Sequence, residues 1–202
     1  MWKPSRLRVS SLITLVIAGC GAAEIAPAAP TAELSALERY FPAAEGSVWS
    51  YDVDTGEPLK SLVITRVVMR QGEHFALSSS GSEPVFYQLR EDGIFHLDSG
   101  SYLLKLPLEI GTTWRSRGGV AEIVEVGTDV RIEREEESAH FSPCVVVEER
   151  GRASSARIRT TYCEGVGVVR IETELEGALH PRPTVATLRG HLLAEEAAPS
   201  SP

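Results

Sequence analysis

From Val48 onward the chain reads as short runs of β-branched and aromatic residues, interrupted by Gly, Pro, Asp and Ser at spacings of roughly ten residues. This pattern predicts strands at Val48 to Val53, Ser61 to Arg70, His74 to Ser80, Val85 to Arg90, Gly93 to Leu97, Tyr102 to Leu106, Thr113 to Arg117, Val120 to Val126, Val130 to Arg134, Cys144 to Arg150, Arg157 to Cys163, Val166 to Leu175 and Thr184 to Leu193. No sustained period of 3.6 competes with them, so the expectation is all-β: an antiparallel, hairpin-rich sheet forming a sandwich, half-barrel or barrel. Helix is confined to one short candidate, Thr31 to Arg39, with Thr31 as cap and Leu34 and Leu37 on one side. Arg90-Glu91-Asp92-Gly93 and Arg117-Gly118-Gly119-Val120 read as tight turns in which glycine supplies a positive φ, and Ser138 to Pro143 as a loop.

An internal repeat divides this series into two similar halves. Pro42-x-x-x-Gly46-x-x-Trp49 recurs as Pro107-x-x-x-Gly111-x-x-Trp114, each copy just ahead of a strand. Proline can start a strand without wasting a ladder donor, glycine permits the turn, and a tryptophan can close the core. The motif is thus a corner used twice, with an aromatic ligand platform built on Trp49, Tyr51 and Trp114 as the alternative.

The segment before these strands has a different character. Lys3, Arg6 and Arg8 precede an apolar run from Val9 to Ala18, the charged and hydrophobic regions of an export signal. The run is too short to span a bilayer, which takes about 20 apolar residues. It ends in Ile17-Ala18-Gly19-Cys20, which resembles the lipobox of bacterial lipoproteins. That resemblance implies cleavage before Cys20, acylation of its thiol and attachment to the cell envelope. Gly21 stands where an Asp would resemble an inner-membrane retention signal, so the outer membrane is favoured in a Gram-negative host. The expected organisation is a signal peptide at 1–19, lipid anchor and Ala/Pro spacer at 20–39, one all-β domain at 40–193 and a disordered polar tail at 194–202.

Charge then narrows the partners. The whole chain carries -8, and loss of the three leader cations takes the mature form to about -11. Nucleic acid is excluded as a partner, because phosphate binding needs clustered Lys and Arg. The acidic run Glu133 to Glu137 reads as solvated surface.

In its motifs the mature chain resembles a group of uncharacterised bacterial secreted proteins and lipoproteins. The resemblance rests on Phe-Pro-x-x-x-Gly-x-x-Trp-x-Tyr at Phe41 to Tyr51 and Tyr-x-x-Gly-Val-Gly-x-Val at Tyr162 to Val169. It implies an all-β fold and no particular chemistry.

With Cys20 assigned to lipid, Cys144 and Cys163 remain as a pair in an oxidising compartment. A hairpin centred between Ala153 and Ser154 sets Cys144 directly opposite Cys163, Glu148 opposite Arg159, Val146 opposite Thr161 and Arg150 opposite Arg157. Opposed residues lie within disulfide reach, so a structural disulfide is expected, with Glu148 and Arg159 as a charge pair.

Other chemistry is faint. Asp52-x-Asp54-x-Gly56-Glu57 is similar to a calcium loop but lacks ligands of the usual pattern, and a hairpin turn explains it. His74, His96, His140, His180 and His191 show no metal spacing. Ser78-Ser79-Ser80-Gly81-Ser82 is no nucleophile elbow. The expectation is therefore no catalytic residue, no metal and no cofactor: a membrane-tethered, non-enzymatic binding or structural module serving an envelope protein, glycan or lipid. A carrier enclosing a lipid or other apolar ligand is the alternative, and a hydrolytic enzyme, needing His and acidic groups in one cleft, comes third.

Overall fold

The computed structural model describes residues 35–133, 138–151, 156–175 and 183–194. The expected leader, Cys20, the spacer, Thr31, Leu34, His180, positions 134–137 of the acidic run, the hairpin centre at 153–154 and the tail beyond Ala194 lie outside them. Twelve strands follow one another: β1 (Val48–Asp54), β2 (Ser61–Gln71), β3 (His74–Ser79), β4 (Val85–Arg90), β5 (Gly93–His96), β6 (Ser101–Lys105), β7 (Thr113–Arg115), β8 (Gly119–Ile132), β9 (Ala139–Gly151), β10 (Ala156–Cys163), β11 (Gly167–Leu175) and β12 (Thr184–Leu192). They form one antiparallel sheet in the order β6-β5-β4-β3-β2-β1-β12-β11-β10-β9-β8-β7. Sequence neighbours therefore pair throughout except for β6 and β7, β1 is joined to β12, and the sheet curls into a nearly closed barrel whose free edges are β6 and β7. Of the three expected forms, the barrel is the one adopted.

The repeat marks the two halves, six strands each, and its copies fold alike. In the first, Gly46 takes φ +88° and its N–H donates to the Val67 carbonyl at 3.0 Å, while Val67 N–H donates back to Ser47 O at 2.9 Å. In the second, Gly111 takes φ +90°, its N–H donates to Ile123 O at 2.8 Å, and Ile123 N–H returns to Thr112 O at 2.9 Å. Val67 and Ile123 are both buried. The positive φ is why glycine stands at these two positions, and the tryptophan three residues on lands inside the barrel in each half.

A short helix, α1 (Ala36–Tyr40), precedes β1. Its cap is Ser35, whose hydroxyl accepts from Glu38 N–H while the Glu38 carboxylate accepts from Ser35 N–H. This reciprocal box is worth about 1 kcal/mol and starts the helix found among the described residues. Leu37 and Tyr40 of α1, with Phe41, are buried in the barrel core. Phe41 lies 6.1 Å from Trp49, 5.8 Å from Phe75 and 6.5 Å from Tyr162, and Phe75 stacks on Tyr87 at 5.3 Å. Each such ring contributes about 1.5–3 kcal/mol on burial, so this aromatic column is a main support of the fold.

Several local expectations are corrected. The strands expected at Val120 to Val126 and Val130 to Arg134 are one strand, β8, which crosses Gly127 at φ +74°. Three irregularities of register against β9 fall between Ile123 and Val130 and absorb the break, as bulges do. The loop expected at Ser138 to Pro143 is largely strand, because β9 begins at Ala139 and pairs with the far end of β8. The turn glycines Gly93, Gly118 and Gly119 do not adopt positive φ. Gly93 is instead needed for space, since a Cβ there would sit 2.5 Å from Leu104 O and 2.6 Å from the Tyr102 ring. The β7–β8 turn is held by Ser116, which exchanges hydrogen bonds with Gly119 through N–H, carbonyl and hydroxyl.

Candidate functional site

The three aromatic residues singled out in the sequence are structural. Trp49 is 3 % and Trp114 is 7 % exposed, which leaves no face for a ligand platform. Trp49 Nε1–H donates to Val166 O at 2.7 Å, Tyr51 OH donates to Val168 O at 3.0 Å, and Gly165 N–H donates to Arg39 O at 2.7 Å. The two motifs of the resemblance thus meet in space, the late one threading its carbonyls past the side chains of the early one. Gly167, at φ +96°, passes within 3.5 Å of both Pro42 and the Trp49 indole nitrogen, measured from the place a Cβ would take.

Cys144 and Cys163 form the expected disulfide, with Cα atoms 4.0 Å apart and both residues fully buried. The register is the expected one throughout: Glu148 opposes Arg159, Val146 opposes Thr161 and Arg150 opposes Arg157. The charge pairing is not. Arg159 turns to Glu125 of β8 at 2.6 Å, and Glu148 is taken by Arg150 of its own strand at 2.7 Å, which relieves the Arg150–Arg157 opposition. Arg157 in turn binds Glu174 at 2.6 Å.

The acidic loop is a hairpin turn. Val53 pairs with Ser61, Gly56 N–H donates to Asp54 Oδ1 at 2.8 Å, Asp54 faces Lys60 and Asp52 faces Arg189. The serine cluster is likewise the β3–β4 turn, with Ser78 Oγ donating to Ser82 O at 2.8 Å. Among the described residues no three His, Cys, Asp or Glu side chains come together as a metal site. His140 stands on the surface near Asp129, and His74 and His191 lie at ladder positions in β3 and β12.

The remaining described histidine is different. His96 borders a cavity of about 560 Å³ inside the barrel, between β4–β6 on one side and β9–β10 on the other. Its apolar wall includes Val85, Leu103, Val147 and Ile158; Tyr162, almost wholly buried, forms its inner limit, and Arg117 and Gly118 of the exposed β7–β8 turn border it on the outside. Tyr87 meets His96 edge to face at 5.0 Å, so the aromatic column described above ends on the cavity. Ser99 N–H donates to His96 Nδ1 at 3.0 Å, and the Ser99 and Ser101 hydroxyls share a 2.6 Å hydrogen bond. Glu149 Oε1 accepts from Gly118 N–H at 3.2 Å.

Electrostatics keep the cavity phenols neutral. Burial raises the Tyr162 pKa above the phenolic range, and neighbouring Tyr87, Glu149 and Tyr51 push the same way. Burial also raises Tyr87, with Arg117 opposing and Asp98 adding to the shift. Both hydroxyls are therefore un-ionised donors at neutral pH. Arg117 enters no ion pair among the described residues. By contrast, a second hollow of about 370 Å³ beside α1 has its charges matched internally, Glu38 with Arg70 at 3.2 Å and Arg39 with Glu164 at 3.5 Å.

Neither the protein-family models, the curated proteins nor the solved structures contain a match to this chain. The site must be read from its own residues. In the sequence His96 stands out only as one of five histidines that could serve a metal or a hydrolytic cleft, Arg117 only as a turn residue, and no motif marks Tyr87 or Glu149. A signal was present: Glu149 shares the inward parity of Val147, and Thr160 that of Ile158 and Tyr162, so polar side chains occupy core-facing strand positions.

Proposed function

We propose that this protein is a lipid-tethered module of the cell envelope whose barrel binds a small, mainly apolar molecule without transforming it. The cavity is the observation that carries the reading. Its volume of about 560 Å³ lies in the range of small-molecule sites, and a mostly apolar wall with a few convergent polar groups is their usual composition. The Ile17-Ala18-Gly19-Cys20 lipobox supports the tether, and the Cys144–Cys163 disulfide supports an oxidising compartment outside the cytoplasm. The outer membrane is the membrane proposed for a Gram-negative host.

Hydrolysis is the competing reading, because His96 and Glu149 border the same cavity. The hydrogen bond at His96 speaks against it. With Nδ1 accepting the Ser99 amide proton, the neutral ring carries its own proton on Nε2 and presents a donor where a general base must accept.

Organic extraction of the purified protein followed by mass spectrometry tests the binding role. One small apolar or amphipathic compound per chain is the expected yield; an empty extract together with binding to an envelope protein or glycan would move the function to the outer surface. Cys20→Ser should release the protein from membranes and abolish acyl labelling, and unchanged labelling refutes the lipobox.

A further inference from the structure

The polar groups around the cavity are not a random sample. Arg117 is cationic and free of ion pairs among the described residues, and Tyr87 and Tyr162 are neutral hydroxyls. His96 has its Nδ1 occupied by the Ser99 amide, which leaves Nε2–H as the ring's remaining polar group. The acidic member, Glu149, has one carboxylate oxygen engaged by the Gly118 amide. The lining thus holds one cation, Arg117, and one carboxylate, Glu149, which are not ion-paired with each other, beside hydroxyls and the His96 ring that can donate. They are also arranged by depth: Arg117 is on an exposed turn, Tyr162 is buried, and Val85, Leu103, Val147 and Ile158 lie along the apolar wall.

We infer that the cavity takes a single-chain amphiphile with a carboxylate head, the head paired with Arg117 at the outer rim and the apolar chain directed inward toward Tyr162. This deepens the ligand-binding reading above and rests on it. Arginine suits a carboxylate because its planar guanidinium donates two parallel hydrogen bonds to the two oxygens. A neutral head would leave that capacity unused, and a cationic head would oppose Arg117 directly. A cavity of about 560 Å³ suits one chain rather than the two of a phospholipid, so a free carboxylate rather than a membrane headgroup is the source.

The test compares three twelve-carbon probes, dodecanoate, 1-dodecanol and dodecyltrimethylammonium, each below its micellar concentration, by calorimetric titration of the delipidated full chain. Dodecanoate should bind at least tenfold tighter than dodecanol, and the ammonium compound more weakly still. Arg117→Ala should remove that tenfold preference by weakening dodecanoate while leaving dodecanol unchanged; Arg117 is exposed, so the variant keeps the fold. Ile158→Trp, which narrows the cavity from its apolar wall, should weaken binding of dodecanoate at least tenfold. Equal binding of acid and alcohol, insensitive to Arg117→Ala but weakened in Ile158→Trp, overturns the carboxylate assignment and leaves the binding role standing. Failure of all three probes, or binding unaffected by Ile158→Trp in a protein of native circular dichroism, overturns both.

Discussion

The indole N–H of Trp114 donates to the main-chain carbonyl of Tyr102 at 3.0 Å. Tyr102 belongs to β6 and Trp114 to β7, the two free edges of the sheet, so a side chain supplies a hydrogen bond where the strand ladder stops. The repeated tryptophan Trp49 makes the equivalent bond to Val166. Trp114→Ala and Trp49→Ala are each expected to lower stability by about 3–5 kcal/mol in denaturant unfolding. Trp114→Phe keeps most of the bulk and should cost about 1–3 kcal/mol through the lost donor. A loss well under 1 kcal/mol in the alanine variants would mean that these rings are not core.

The Cys144–Cys163 bond closes a loop across 19 positions. In the chain-entropy model such a loop is worth about 3 kcal/mol. The double variant Cys144→Ala/Cys163→Ala should unfold at correspondingly lower denaturant concentration, and non-reducing peptide mapping of the parent should recover the two cysteines joined. Two free thiols in exported protein would remove the staple.

Much of this hairpin is legible in the sequence, because strand side chains alternate with a period of two and a turn position then fixes every opposed pair. That is why the register of Cys144, Val146 and Glu148 against β10 follows from the sequence alone. The ion pairs do not, since Arg159 reaches a carboxylate on β8 and that neighbour is known only once the sheet is assembled. The same limit applies to the cavity. Tyr87, His96, Arg117, Glu149 and Tyr162 come from β4, β5, the β7–β8 turn, β9 and β10, and only closure of the sheet brings them together. Gly127 misleads for a local reason: glycine commonly ends a strand, and here it serves a bulge within one.

Gly93 offers a sharper steric test. Gly93→Ala places a methyl group 2.5 Å from the Leu104 carbonyl and 2.6 Å from Tyr102, and should cost about 1–3 kcal/mol by overpacking. Gly190→Ala is the control, with its nearest neighbour, Ser50 Oγ, at an ordinary 3.6 Å. Equal thermal stability of the two variants would show that β5 and β6 are not so closely apposed.

Alkaline pH should expose the buried phenols. Burial raises Tyr51, Tyr87 and Tyr162 above the ordinary phenolic value of 10.0. The folded chain then keeps protons that the unfolded chain releases, so this stabilisation is complete below pH 10 and is withdrawn as pH rises beyond it. Phenolate absorbance and near-ultraviolet circular dichroism should show these groups ionising together with loss of tertiary structure. Early ionisation in a protein still folded would contradict their burial.

The halves of the barrel meet at two junctions of opposite construction. Between β12 and β1 the polypeptide is discontinuous and backbone hydrogen bonds run from one strand to the other; between β6 and β7 the ladder lapses and residues 106–112 carry the chain across. Peptide bonds span the gap in one place and amide–carbonyl pairing spans it in the other, so no seam around the circumference lacks both.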